Sequence, residues 1–138
     1  MARRTSVAVA PPSLPSLVDF YRDSFQDFHL YDPDGYQVNF TFTSPGGKVL
    51  RRSHTYTYAN SSSEFRDIPV GKYRVVAQCV CKGKTYPVHV GSRDGSPTDP
   101  KGGDFAPSMT IEIKPGKNVY GEPILVTVPD PLHIRVIE

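Results

Sequence analysis

The chain has 138 residues, 38% of them hydrophobic, which is enough to bury one core and fits one domain. With 14 Pro and 11 Gly against 2 Met and no Trp, it favours many short strands joined by turns over long helices. A formal charge of +2, from 16 basic and 14 acidic side chains spread along the chain, argues against nucleic acid as a partner.

Residues 1–16 form a Pro/Ser/Ala-rich arm without periodicity, expected to be flexible or bound to a partner. Arg3 and Arg4 precede a short apolar run, Val7 to Ala10, which Pro11, Pro12 and Pro15 cut off. That run is shorter than the core of a signal peptide, and no later segment has transmembrane length. The expectation is a protein made in a cytosol, without export signal or membrane partner. Between residues 17 and 31, Leu17, Phe20, Tyr21, Phe25 and Phe28 recur at spacings of three to five, so a short amphipathic helix and an irregular strand both fit. An aromatic stripe beside a loose arm also suits packing on a neighbour.

From residue 36 the period is two. Tyr36, Val38, Phe40 and Phe42 alternate with polar residues, and Ser44-Pro-Gly-Gly47 turns the chain into a return strand over 48–58. There Leu50, Arg52, His54, Tyr56 and Tyr58 share one face, a mixed set that points to a sheet edge. Pro69 and Gly71 form a corner feeding a strand whose apolar positions are Tyr73, Val75, Ala77, Cys79 and Cys81. The cysteines, two apart on that apolar face, read as small buried hydrophobes rather than as a disulfide or metal site. Lys82-Gly-Lys84 then turns into a strand with Tyr86, Val88 and Val90, in which Pro87 suggests an edge or a bulge.

Residues 91–107 lack periodicity and are dense in Gly, Pro and Asp, which makes them the main candidate contact loop. Three strands follow, with Met109, Ile111 and Ile113; Ile124, Val126 and Val128; and Leu132, Ile134 and Val136 expected inward. The sum is an all-β fold, an antiparallel β-sandwich of seven or eight strands over residues 17–138.

Candidate chemical sites are sparse. Asp32-Pro-Asp34-Gly35 has the opening of a calcium loop without its later ligands, and reads as a β-turn. His29, His54, His89 and His133 are far apart and have no metal-ligand spacing, so neither metal nor cofactor is expected. Asn39-Phe-Thr41 and Asn60-Ser-Ser62 match the glycosylation pattern, which needs a secretory route the N-terminus does not offer. Tyr56 and Tyr58 are candidates for stacking on a sugar ring or for cross-strand pairing. No nucleophile, base and oxyanion set can be nominated, so catalysis is not expected.

The segment Glu64-Phe-Arg-Asp-Ile-Pro-Val-Gly-Lys-Tyr-Arg-Val-Val-Ala77 resembles a signature of transthyretin-like sandwiches, which include carboxypeptidase regulatory-like domains and collagen-adhesin B-type repeats. The resemblance implies an Ig-like sandwich and leaves function open. Some adhesin repeats carry an internal Lys–Asn isopeptide bond, and Leu132 to Glu138 offers no Asn for one. The chain also looks like a bacteriophage virion component: a capsid decoration, head-fibre or tail-associated protein. Such a protein works through contacts with other subunits, itself included. The alternative is a carbohydrate-binding or adhesion module of a bacterial surface system, with a glycan as partner. The candidate interaction residues are Arg3 and Arg4 on the arm, Phe20, Tyr21, Tyr56 and Tyr58 on strands, and Arg93, Asp94, Asp99, Lys101, Asp104 and Phe105 in the loop.

Overall fold

Alternation of inward apolar and outward polar residues dictates extended backbone, and the chain follows it through most of its length. The computed structural model describes residues 17–93, 98 and 102–138, and the arm at 1–16 lies outside them. Within these residues nine strands make one sheet: β1 (Leu17–Arg22), β2 (Tyr36–Thr43), β3 (Val49–Tyr56), β4 (Ser62–Arg66), β5 (Gly71–Cys81), β6 (Lys84–Gly91), β7 (Met109–Lys117), β8 (Pro123–Val128) and β9 (Leu132–Val136). Among the described residues there is no helix.

β1 settles the ambiguity at residue 17 in favour of a strand. Val18, Phe20 and Arg22 alternate inward, and β1 is held between antiparallel β4 and parallel β9. That parallel pair departs from an all-antiparallel sheet, and β4 is a strand the turn-rich sequence around it concealed. Beyond Arg22 the chain turns repeatedly and lays Phe28 over one end of the sheet, against the rings of Tyr36 at 5.3 Å and Tyr86 at 5.1 Å.

The sheet curls because β5 is long enough to serve two neighbours on one side. Gly71 to Val75 pair with β7 and Ala77 to Cys81 pair with β6, while β2 runs along the other side. One branch is β7–β8 and the other β6–β9–β1–β4. The branches meet again where Thr127 Oγ1 on β8 donates to Leu17 O on β1 at 2.8 Å. Across the outer strands β3 and β4, Tyr56 Oη and Ser63 Oγ bond at 2.7 Å. The result is a nearly closed, barrel-like sheet.

Its interior is aromatic. Phe20 lies 4.6 Å from Phe40, and Phe65 lies 5.0 Å from Phe40, tying β1, β2 and β4 into one cluster. Ile68 from the Pro69 corner is fully buried, and Tyr73 Oη donates back to Pro69 O at 2.7 Å, locking the corner to its strand. Cys79 and Cys81 are free and buried, on the apolar face.

Two details depart from the strand pattern. β6 is interior, not an edge, and Pro87 fits it because its carbonyl accepts from Ile137 N at 2.9 Å. Its missing N–H therefore faces the last rung of β9, where pairing ends. On β8 the inward face is that of Thr127 and the half-buried Leu125, which packs on the core, while Val128 is 44% exposed. The bond from Thr127 to β1 sets this register, and Val126 packs outward over Gly116, where a Cβ would lie 2.8 Å from Val126 Cγ1.

Candidate functional site

Two of the expected surface aromatics are core residues. Phe20 and Tyr56 are fully buried, because β1 and β3 turn those positions into the aromatic interior. Tyr56 pairs across the strands with Tyr36, with ring centres 5.6 Å apart and stacked. Burial pushes the Tyr36 phenol up to about 12, against the pull of the neighbouring Arg22 guanidinium. Burial raises Tyr56 as well, tempered by its bond with Ser63. Both phenols are neutral packing groups at ordinary pH. Tyr21 is 40% exposed beside His133, and Tyr58 is 65% exposed, stacked on Tyr31 at 5.2 Å.

At the same end, Gly35 closes the Asp32 turn by donating its N–H to Asp32 O at 3.0 Å. Its φ of +62° and the 2.0 Å between an added Cβ and Tyr56 O reserve the position for glycine. Lys82 Nζ lies 3.0 Å and His29 Nδ1 3.4 Å from Asp32 Oδ2. The hydrogen bond from Lys82, then that from Asp34 N–H, holds the Asp32 carboxyl below the ordinary range. Asp32 thus anchors the turn, with Lys82 and His29 on one carboxylate oxygen and the Asp34 N–H on the other. No group of three or more metal-ligating side chains comes together among the described residues.

The loop after β6 is pinned at its base. Val90 and Ala106 exchange backbone hydrogen bonds at 2.8 and 2.9 Å. Asp104 Oδ1 accepts from Ser92 N and Arg93 N, and Oδ2 accepts from Ser92 Oγ. Burial pushes the Asp104 carboxyl up, but those bonds outweigh it and bring it below its ordinary value. Phe105 lies 4.1 Å under the Arg135 guanidinium, whose Nε donates to Asp23 Oδ2 at 2.6 Å. Asp104 and Phe105 are therefore fasteners, and Arg93 is exposed beside them. Arg3, Arg4, Asp94, Asp99 and Lys101 lie outside the described residues.

Among the described residues, the most exposed large apolar side chains lie elsewhere, at the tip of the β7–β8 hairpin. β7 pairs with β5 only as far as Ile113, and beyond it the hairpin pairs with itself. Val119 is 92% and Tyr120 84% exposed. Asn118 organises the turn beneath them. Its Oδ1 accepts from Tyr120 N at 2.9 Å and Glu122 N at 3.0 Å, and its Nδ2 donates to Glu122 Oε1 at 2.9 Å. Gly121 completes the turn with a φ of +78° and an N–H donated to Asn118 O. A turn so fastened presents two apolar side chains on an ordered backbone, which lowers the backbone entropy lost on docking. Alternation read for strand faces passes over both residues. The missed signal was a Val-Tyr pair enclosed by the turn formers Asn118 and Gly121.

Chemically, then, the described residues define an all-β protein with a fastened loop base and a preorganised apolar tip. Comparison with family models, curated proteins and solved structures finds no match to this chain.

Proposed function

We propose that this protein is a non-catalytic assembly module that docks on another protein subunit through Val119 and Tyr120. The observation that carries this reading is the pair's near-complete exposure on a turn held by Asn118. Tyrosine offers a large, rigid contact area with few torsions to freeze, which is why it recurs among interface residues that dominate binding. The return bond from Tyr73 to Pro69 supports an Ig-like sandwich of the transthyretin-like kind. A virion component, as a capsid decoration, head-fibre or tail-associated protein, is the form of assembly we favour.

Size fractionation of native material tests the reading. The wild-type chain is expected in a large assembly, and a Val119→Ser/Tyr120→Ala variant in the free fraction with an unchanged melting temperature. A wild-type chain that elutes alone, or a variant that stays in the assembly, overturns it.

A further inference from the structure

The outward faces of β3, β2, β5 and β6 form a hollow of about 750 Å³, away from the hairpin tip. Inward Val38, Phe40 and Phe42 put Asn39 and Thr41 outside, and the register sets Arg51 opposite Thr41, Ser53 opposite Asn39, and Gln78 between Asn39 and Pro87. Asn39, Thr41, Val76 and His89 are half-buried and make the floor, while Arg51, Ser53, Gln78, Pro87 and Pro107 are exposed and make the rim. A smaller hollow of about 310 Å³, carrying Thr43, Lys72 and Arg74, lies next along the same face.

Two properties of this face select a ligand. The outward side chains that line the larger hollow include Arg51 and His89 and no carboxylate. Neither of these two, nor Arg74, is ion-paired with a described residue, and among the strand residues of the face Glu112, opposite Lys72, is the acidic one. An anion is thus the complementary partner. Beside Arg51 and His89 stand the amides and hydroxyls of Asn39, Thr41, Ser53 and Gln78, with Val76, Pro87 and Pro107 as apolar surface between them. Amides and hydroxyls match the hydroxyls of a sugar, and the flat proline rings match its carbon faces. Ser53 Oγ donates to Asn39 Oδ1 at 2.7 Å, which orients that amide and leaves its N–H donors for a ligand. Transverse rows of such groups, one strand apart at about 4.8 Å, suit a chain of polyols.

We infer that this face binds an acidic polysaccharide, a polyol chain bearing carboxylate or sulfate groups, with Arg51 taking the anion and Asn39 and Gln78 taking hydroxyls. The site is independent of the hairpin tip, so it stands or falls separately from the assembly reading.

Titration calorimetry with the full chain tests it, using polygalacturonate and dextran sulfate as the two acidic probes. Neutral dextran and polyglutamate serve as controls for polyol and for charge. Binding to at least one acidic glycan is expected, weakening as salt rises. Arg51→Gln and Gln78→Ala should each weaken it by about tenfold, at unchanged melting temperature, since each removes an exposed hydrogen-bonding group. Tyr120→Ala should leave it unchanged. Failure to bind either acidic glycan overturns the inference, as does equal binding of polyglutamate, equal binding of neutral dextran, or indifference to both substitutions.

Discussion

Cys79 shows how strand period and burial together decide chemistry at one residue. It sits two positions from Cys81 on the inward face of β5, and both thiols are buried. Burial, with Cys81 beside it, pushes the Cys79 thiol up to about 12. The thiolate is the reactive species, so these cysteines are inert in the folded protein. Iodoacetamide at pH 8 should leave both unmodified in buffer and label both in denaturant, with mass spectrometry counting the adducts. Labelling of the native protein at the rate of a free thiol would contradict the burial argument.

At the scale of the element, the β7–β8 hairpin divides into two parts with different neighbours. Met109 to Ile113 belong to the main sheet through β5, whereas the tip depends on its own ladder and on Asn118. Local stability should follow that division. Asn118→Ala removes the side chain that accepts from Tyr120 N and Glu122 N, a loss of about 1 kcal/mol or more confined to the tip. Hydrogen exchange at residues 118–124 should accelerate about fivefold or more, while exchange along β2 and β5 stays as in the wild type. Acceleration throughout the sheet would show that the tip is energetically joined to the core.

For the molecule as a whole, titration gives a directional test of stability. Burial lowers the pKa of His54 from its ordinary 6.5, so the unfolded chain binds this proton more readily than the folded one. That term is fully favourable above pH 6.5 and is lost as pH falls through the folded value. Asp32, lowered chiefly by the Lys82 hydrogen bond, and Asp104, lowered by Ser92 and Arg93 against burial, contribute above the ordinary carboxylate value of 3.8. Their terms are lost as pH falls through the folded values, below 3.8. Asp19 runs the other way, since burial and then Glu64 and Asp130 raise it, partly offset by Arg66, so it disfavours folding as pH rises above 3.8. The melting temperature should fall in a step beginning near pH 6.5 and again below 4. His54→Gln should remove the first step and keep the second. An unaltered first step in that variant would assign it to another group.

Local pattern made much of the fold legible. Alternation over Tyr36 to Phe42 and Tyr73 to Cys81 names two central strands and their buried faces, because side chains on extended backbone must alternate whatever the neighbours are. The Ser44–Gly47 and Lys82–Gly83 turns were equally readable, since φ above zero at Gly47, Lys82 and Gly83 is a local demand. Other features were decided by distant partners. β1 is a strand because β4 and β9 flank it, Thr127 faces inward because Leu17 O is there to receive its hydroxyl, and Tyr56 is buried because Tyr36 and Ser63 enclose it. The candidate surfaces were the least legible. The exposed tip depends on how far β7 outruns β5, and the hollow depends on four strands brought side by side from residues 39 to 89. Period two says which side chains share a face of one strand; only the order and register of the strands say what stands next to them.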